Sequence, residues 1–373
     1  MSGQPSMHKL GQGLAPDQAL APSAATPPTA AGRADLALRE PLSAPVAFHL
    51  RVPATSANLG PGYDTMGLAL SLFDEITVHA APRRAATAQV EITVQGEGSA
   101  TLPRDASHLV VTLVEKILNA KGFSLPDLEV RAVNNIPHSR GLGSSAAAVA
   151  SAVMTAHALL PEGLSPDEQL QIGSRIEGHP DNYVPALRGG VAISWQETGP
   201  AASAAEATNG SAQESLAGAF RTAPLIPHPQ LRTVVAVPNF EQSTQVARDL
   251  LPAQVDHAVA ARNSARAALL VHALTSAPEL LLEATEDALH QEQRRPAFPG
   301  SMALVDGLRA AGFAAVISGA GPSVLVLTDS DAQASAAAQH ISALGGPDAR
   351  GHVFTPAILP IAGTGVTVEA HQR

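Results

Sequence analysis

A glycine-rich stretch followed by small residues constrains this 373-residue chain more than any other feature. Residues 135–154 read N-I-P-H-S-R-G-L-G-S-S-A-A-A-V-A-S-A-V-M. The two glycines permit a tight turn whose N–H groups converge, and the serines and alanines favour a helix whose first turn has unsatisfied amides. The positive end of the helix dipole lies at the same place. The pattern predicts a phosphate-binding site, with a small-residue helix packed on a sheet as the alternative.

The balance of residue types excludes several classes of protein. With 23 basic and 33 acidic residues, the formal net charge of -10 disfavours nucleic acid or an anionic membrane as partner. The absence of cysteine excludes disulfides, thiolate catalysis and Cys-based zinc sites. None of the 14 histidines stands in an H-E-x-x-H motif. No apolar run approaches about 18 residues and no signal-like segment opens the chain, so we expect a soluble cytoplasmic protein.

Length and composition suffice for two domains, because 373 residues with 45% apolar content can bury two cores. Strands and helices alternate in both halves with several strand-to-strand steps, which favours an α+β fold over a doubly wound sheet. Biased Ala, Pro, Gly and Ser content predicts a disordered tail at 1–44 and a flexible loop at 201–222. The two domains would then span 45–200 and 223–373.

Local periodicity predicts the elements around these segments. Residues 47–52 alternate like a strand and run into a loop at 53–64. The short polar side chains of that loop either satisfy its own turn or hold a ligand. A 3.6-residue apolar spacing predicts helices at 255–274 and 279–291.

One further helix has clear boundaries and ends on a carboxylate. Ser165 begins it as a cap, and it should end near Gly178, which puts Glu177 in its last turn. Negative charge is unfavourable at a helix C-terminus, so a compensating cation is expected, and a divalent metal is one candidate. An exposed Glu without a role is the alternative.

The glycine stretch also satisfies a loose dinucleotide-binding fingerprint, G-x-G-x-x-A at 141–146. In that fold the strand leads almost directly into the first glycine. Here N-N-I-P-H-S-R separates Val133 from Gly141, which is too long for the tight turn. A G-x-x-x-x-G-K-[ST] motif is absent as well. The spacing indicates a loop that wraps a triphosphate.

Five separated segments carry motifs in order along the chain. They read P-A-T-S-A-N-L-G-P-G-Y-D at 53–64, P-H-S-R-G-L-G-S-S-A-A at 137–147, H-P-D-N at 179–182, S-T-Q-V-A-R at 243–248 and S-G-A-G-P-S at 318–323. The second and fifth resemble the two glycine motifs of the GHMP small-molecule kinases, which include galactokinase, mevalonate kinase and homoserine kinase. The other three look specifically like homoserine kinases. The resemblance runs from about Val46 onward.

That resemblance implies the two-domain GHMP kinase fold, with ATP and substrate in the cleft between the domains. It implies transfer of the γ-phosphoryl of ATP to the side-chain hydroxyl of L-homoserine, giving O-phospho-L-homoserine on the route to threonine. Ser145 and Glu177 would hold Mg²⁺, and a homodimer is left open. The implied ATP-binding residues are Pro137, His138, Ser139, Arg140, Gly141, Leu142, Gly143, Ser144, Ser145, Ala146 and Ala147.

The same resemblance implies the contacts of the second substrate. Asn58 and Asp64 would receive its amino group, Asn182 its hydroxyl, and Arg248 and Arg294 its carboxylate. A zwitterion needs one acidic and one cationic contact, which this set provides. Phosphoryl transfer asks the protein mainly to position groups and neutralise charge, so amides, a metal and cations matter more than a nucleophile.

Four assignments stay open between two readings. In other members of the family an Asp at the motif position of Asp181 is the base, and the alternative is that the γ-phosphate takes the proton. His179 either contacts the substrate or only orients its loop, and Arg140 either reaches phosphate or does not. The adjacent Arg294 and Arg295 leave the second carboxylate contact open by one residue.

Two other functions are compatible with the motifs. The first is a kinase of the same fold for another alcohol, such as mevalonate, whose lack of an ammonium group would leave Asp64 without a purpose. The second is a nucleotide-binding protein without turnover.

Overall fold

The computed structural model describes residues 38–197, 218–242, 244–347 and 351–371. Most of the predicted tail and residues 201–217 of the predicted loop lie outside these ranges. The described end of the tail is not free, because Arg39 bridges Phe123 and exchanges backbone hydrogen bonds with Gly122 and Ser124. The prediction of a tail up to residue 44 is therefore too long.

Two β-sheets organise the described chain. The first has seven strands in the order β11-β1-β2-β4-β3, with β5 pairing β2 and β6 pairing β5. Its strands are β1 (Val46–Ala57), β2 (Met66–Ala81), β3 (Val90–Gly96), β4 (Asp127–Asn134), β5 (Val191–Gln196), β6 (Phe220–Leu225) and β11 (Thr367–Ala370). Only the β3–β4 pairing is parallel.

The second sheet has four antiparallel strands in the order β10-β7-β9-β8. They are β7 (Arg232–Pro238), β8 (Ala314–Ile317), β9 (Val324–Thr328) and β10 (Phe354–Ile358). Alternate residues of β9 pack in two different hydrophobic cores. Leu325 lies in the core of the first sheet, whereas Val324 and Val326 lie in the core under the helices of the second sheet. Burial of both faces explains the continuous apolar runs of β8 and β9.

Helices cover both sheets. They are α1 (Leu109–Ala120), α2 (Ser144–Leu159), α3 (Pro166–Glu177), α4 (Pro180–Arg188), α5 (Thr244–Asp249), α6 (His257–Thr275), α7 (Leu281–Ala284), α8 (Gln291–Arg294), α9 (Pro299–Ala310) and α10 (Asp331–Leu344). Helices α2 and α4 pack on β1, and α9 and α10 pack on the second sheet. No helix in the described ranges has the length and apolarity needed to cross a membrane.

The helix predicted from Ser165 forms as expected. The Ser165 hydroxyl accepts the N–H of Glu168, whose carboxylate accepts the N–H of Ser165, and Gly178 ends α3 with φ +82°. Residues 179–182, in contrast, are not a loop. His179 is the N-cap of α4 and Pro180 is its first residue, a position at which proline loses no hydrogen bond.

The predicted helix at 279–291 is wrong, because it is interrupted. A 3-10 turn, Pro278–Leu280, precedes α7, and α8 begins only at Gln291. Between them the Asp287 carboxylate accepts the N–H groups of Leu289, His290 and Gln291. A side chain that takes these donors replaces the carbonyls of a continuous helix.

The sheet membership of β6 and β11 differs from the predicted division of the chain. Residues 220–222 were expected in a loop, but they begin β6, which pairs with β5. Strand β11 was expected in a domain spanning 223–373, but it pairs with β1. The chain therefore returns to the first sheet at β11.

Candidate active site

Three segments far apart in sequence meet at the end of β1. Ser318 Oγ lies 2.8 Å from Ser56 Oγ and 2.6 Å from the carbonyl oxygen of Gly141. The N–H of Gly319 donates to the carbonyl of Ala57. The end of β1, the first glycine loop and the S-G-A-G-P-S turn thus form one hydrogen-bonded unit.

The first glycine loop requires its glycines. Gly141 and Gly143 have φ values of +75° and +72°, in the left-handed region. A Cβ on Gly141 would lie 2.3 Å from the carbonyl oxygen of Ser318, and one on Gly143 would lie 1.9 Å from Thr55 Oγ1. Gly143 is also the N-cap of α2, which has no side-chain cap. The first-turn amides of α2 are therefore available to an anion.

A buried carboxylate holds the start of this loop. Asp74 on β2 accepts the N–H groups of Asn135 and Ile136 at 2.7 and 2.9 Å. Burial raises the pKa of Asp74 to about 6, although these two hydrogen bonds act in the opposite direction. Asp74 could not be identified from the sequence, because nothing in β2 indicates that this side chain faces the glycine loop.

A cavity of about 720 Å³ opens beside the three segments. The glycine loop contributes Ser139, Gly141, Gly143, Ser144, Ser145 and Ala146 to its lining. A second group of lining residues, called here the charged end, is Asn58, Asp64, Arg248 and Arg294. Glu177, His179, Asp181 and Asn182 lie on its wall as well. Every residue predicted to bind the second substrate or the metal therefore lines one cavity.

Five of the predicted ATP-binding residues are not among the residues that line the cavity: Pro137, His138, Arg140, Leu142 and Ala147. Leu142 and Ala147 are buried in the core of the first sheet. The Arg140 guanidinium pairs with Glu97 at 3.3 Å and has Glu241 at 3.9 Å. Direct contact with a nucleotide stays a prediction for these five.

Ser145 and Glu177 form the predicted metal pair. Ser145 Oγ donates to Glu177 Oε1 at 2.7 Å. Glu177 is partly buried, and desolvation raises its pKa against the effect of the Ser145 hydrogen bond. Within the described ranges no Lys, Arg or His forms an ion pair with it. A hydroxyl and an uncompensated carboxylate are oxygen ligands of the kind that Mg²⁺ prefers, so the pair fits that ion.

At the charged end, Asp64 and Arg248 pair with each other. Arg248 Nη2 lies 2.8 Å from Asp64 Oδ1 and Arg248 Nη1 lies 3.2 Å from Asp64 Oδ2. Arg248 Nη1 also donates to the Tyr63 hydroxyl at 3.2 Å. A carboxylate has about four lone-pair sites, so Asp64 keeps acceptor capacity beyond the two bonds from Arg248.

Arg294, and not Arg295, lines the cavity. Arg294 is 1% exposed, and no carboxylate in the described part of the chain lies within 4.0 Å of its guanidinium. Arg295 is at the surface, paired with Glu292 and Asp306. This difference favours Arg294 over Arg295 as the second carboxylate contact, which stays a prediction. A buried guanidinium without a carboxylate is suited to receive one from a ligand.

Asn58 has an internal role. Its Nδ2 donates to the carbonyl of Gly319 at 2.9 Å, and its Oδ1 accepts the N–H of Asp64 at 2.9 Å. Asn58 therefore links the loop at 53–64 to the glycine turn at 318–323 and holds Asp64 in its left-handed conformation, φ +51°. Its predicted contact with the substrate amino group stays a prediction.

Two of the three predicted catalytic residues, Asp181 and Asn182, form a compact polar group with His179 at the start of α4, whereas the third, Arg248, lies on α5. His179 Nδ1 lies 2.7 Å from Asp181 Oδ1, which also accepts the N–H of Asn182. Burial lowers the pKa of His179, but the hydrogen bond and charge of Asp181 outweigh burial and the net shift is upward. Asn182 Oδ1 accepts the Thr55 hydroxyl at 2.8 Å. Thr55 stands within the first motif, but its role in orienting Asn182 was not predicted from the sequence.

Ligand atoms of Asp64, His179 and Asp181 all lie within 4.8 Å of one another. This group could hold a metal by distance alone. Arg248 already neutralises Asp64, and His179 already pairs with Asp181. Each of the two carboxylates therefore has a protein partner without an ion.

Comparison with known proteins identifies the family of the chain. The sequence model described as the N-terminal domain of GHMP kinases matches residues 108–190, and that of their C-terminal domain matches residues 265–346. The homoserine kinase of Streptomyces coelicolor is 46% identical over 305 residues, which is 81% of this chain and 89% of that one. The chain belongs to the GHMP kinase family. The predicted family is confirmed.

Solved structures of GHMP kinases and related enzymes give the fold. The homoserine kinase of Cytophaga hutchinsonii has a TM-score of 0.71 at 23% identity, over 87% of this chain and 97% of that one. Mevalonate diphosphate decarboxylase of Staphylococcus aureus has a TM-score of 0.58 at 16% identity, over 87% of this chain and 98% of that one. The predicted α+β, two-domain GHMP kinase fold is confirmed, but a fold shared with a decarboxylase does not select the substrate.

Proposed function

We propose that the protein phosphorylates the side-chain hydroxyl of L-homoserine with ATP, giving O-phospho-L-homoserine and ADP on the route to threonine. The observation that carries the proposal is one cavity that is lined both by the glycine loop and by Asp64, Arg248 and Arg294. It joins a site for phosphate to a site for a zwitterion. The similarity to the S. coelicolor homoserine kinase over 81% of the chain supports the same substrate.

The glycine loop and the first turn of α2 would hold the phosphates of ATP through backbone N–H groups. Ser145 and Glu177 would hold Mg²⁺, which supplies positive charge to the phosphate oxygens during transfer. Ser318 of the glycine motif at 318–323 donates a hydrogen bond to the carbonyl oxygen of Gly141, which holds the glycine loop in place. These groups position the γ-phosphoryl without a covalent intermediate.

At the charged end, Arg294 would bind the substrate carboxylate, with Arg248 next to it across the Tyr63 hydroxyl. Asp64 would accept the ammonium group while it stays paired with Arg248. A mevalonate-like acid would leave that acceptor unused, which favours an amino acid. The zwitterion is thereby oriented with its side chain toward Asn182.

In the transfer step the substrate hydroxyl oxygen bonds to the γ-phosphorus and the bond to the ADP oxygen breaks. Asn182, held by Thr55, would orient the hydroxyl. The hydroxyl proton passes to Asp181, with a γ-phosphate oxygen as the alternative acceptor. His179 would hold the Asp181 carboxylate in place. A cytoplasmic location and an assembly such as a homodimer stay predictions.

The test is turnover by the purified protein with ATP, Mg²⁺ and L-homoserine. We expect ADP release that depends on both Mg²⁺ and homoserine, and a phosphomonoester product in the phosphorus NMR spectrum. Reactions with mevalonate as acceptor, and with no acceptor, are the controls. ADP release that ignores the acceptor, or faster turnover of mevalonate, would contradict the proposal.

A further inference from the structure

A buried histidine bridges the loop that carries Asp64 and the helix that carries Arg294. His290 is completely buried. Its Nε2 lies 2.9 Å from the carbonyl oxygen of Gly60, and its Nδ1 lies 3.4 Å from Arg294 Nη1. Its ring also contacts that of Tyr63, with 5.1 Å between the centroids. None of the five motifs contains His290.

The two contacts of His290 determine its tautomer. A carbonyl oxygen can only accept, so Nε2 must carry the proton that is donated to Gly60. Nδ1 then keeps its lone pair and accepts from the Arg294 guanidinium. Burial lowers the pKa of His290, and the nearby charge of Arg294 acts in the same direction against the opposing charge of Asp287. A neutral ring fits both contacts.

The contacts of Arg294 leave a defined pair of donors. Its Nε donates to the carbonyl of Ala247 at 3.1 Å, Nη1 donates to His290, and Nη2 donates to the Tyr63 hydroxyl at 3.5 Å. A guanidinium has five N–H groups. One N–H therefore remains on each terminal nitrogen, and a carboxylate can take such a pair in a bidentate contact.

We propose that His290 is a positioning residue for the substrate carboxylate. With Nε2 protonated and the ring neutral, His290 Nδ1 accepts a hydrogen bond from Arg294 Nη1. This bond orients the guanidinium so that its two unused N–H groups face the cavity. The Nε2–H bond to Gly60 sets the tautomer that leaves Nδ1 free to accept from Arg294. This inference rests on the proposed function and adds a residue that acts through Arg294 without contacting the substrate.

Two substitutions test the roles of the two ring nitrogens of His290 separately. In His290→Gln the side-chain amide reaches the position of Nε2 and keeps the donor to Gly60, but it has no acceptor at the position of Nδ1. In His290→Asn the side-chain oxygen takes the place of Nδ1 and keeps the acceptor for Arg294. The loop is also held by Asn263, whose Nδ2 donates to the carbonyl of Pro61 at 2.9 Å, so both variants should fold.

We expect His290→Gln to raise the KM for L-homoserine about tenfold, since a hydrogen bond to a charged group is lost. In His290→Gln, the kcat and the KM for ATP should stay within about twofold of the wild-type values. In His290→Asn, the KM for homoserine should stay close to the wild-type value. His272→Gln is the matched control, because His272 is exposed on α6. A KM for ATP that rises as much as that for homoserine, or an equal loss in both His290 variants, would overturn the inference.

The analogue 3-amino-1-propanol, which is homoserine without its carboxylate, gives an independent readout. Its kcat/KM should be the same for the wild type and His290→Gln, because it does not use Arg294. A parallel loss on both acceptors would mean a general structural role and would overturn the inference. Failure of the proposed function would be seen differently, as an absence of homoserine-dependent turnover in the wild type.

Discussion

Arg248→Ala tests the charged end of the cavity most directly. The substitution removes both hydrogen bonds to Asp64, at 2.8 and 3.2 Å, and the one to the Tyr63 hydroxyl at 3.2 Å. It leaves a carboxylate without its cation and removes a positive charge beside the carboxylate subsite. Within the described residues no hydrogen bond or ion pair joins Arg248 to residues 137–147, so the glycine loop should be unaffected.

The expected loss can be worked from the exposure of the pair. Removing one partner of a desolvated, hydrogen-bonded charge pair costs roughly 2 to 5 kcal/mol. The side chains of Arg248 and Asp64 are 26% and 33% exposed, so solvent screening moves the cost toward the lower end. About 2 to 3 kcal/mol corresponds to a kcat/KM for homoserine that is roughly 30- to 150-fold lower.

The assay is steady-state ADP release with each substrate varied in turn at a saturating level of the other. The KM for ATP should change by less than about twofold, because the proposed phosphate-binding loop makes no hydrogen bond or ion pair with Arg248 in the described part of the chain. Arg295→Ala is the matched control, since its pairs with Glu292 and Asp306 lie at the surface. Equal losses for ATP and homoserine would refute the assigned role of Arg248.

Two further predictions concern the glycine loop. Gly143→Ala should lower kcat/KM for ATP by about 100-fold, because its Cβ would overlap Thr55 Oγ1 and displace the loop; an unchanged ATP dependence would contradict this. Asp74→Asn should raise the melting temperature at pH 8 but not near pH 4. The pKa of Asp74 is about 6 when folded and 3.8 when unfolded, so the wild type loses up to about 3 kcal/mol of stability as pH rises through this range. Asn keeps the acceptor without the charge, and an equal or lower melting temperature at pH 8 would contradict the expectation.

Features that depend on neighbouring residues could be predicted from the sequence. The cap at Ser165, the end of α3 at Gly178 and the glycine loop before α2 all follow from short-range chemistry, and the structure contains them. The interrupted helix at 279–291 was missed, because the intervening Asp287 caps the backbone from a position that periodicity does not weigh. Strand β6 was missed as well, since its Arg, Thr and Pro residues obscure the alternation.

Features that depend on distant residues could be anticipated only through the motifs. The sequence indicated Asp64 and Arg248 as binding groups, but not that they pair with each other across 184 positions. Nothing in the sequence favoured either Arg294 or Arg295 as the carboxylate contact. Their burial, their ion pairs and the lining of the cavity distinguish them only in the structure. His290 carries no local signal, because it stands in a mostly polar segment, E-D-A-L-H-Q-E-Q at 286–293, and polar segments are usually exposed.

The hydrogen bond from Ser318 to Gly141 spans 177 positions, and it cannot form in a newly made chain until both of its ends have been synthesised. While the polypeptide emerges from the ribosome, its first glycine loop is exposed long before the partner turn that braces it exists. Closing such a long span costs chain entropy and slows folding. The nascent protein should therefore acquire nucleotide affinity late and abruptly, once translation has passed the second glycine turn.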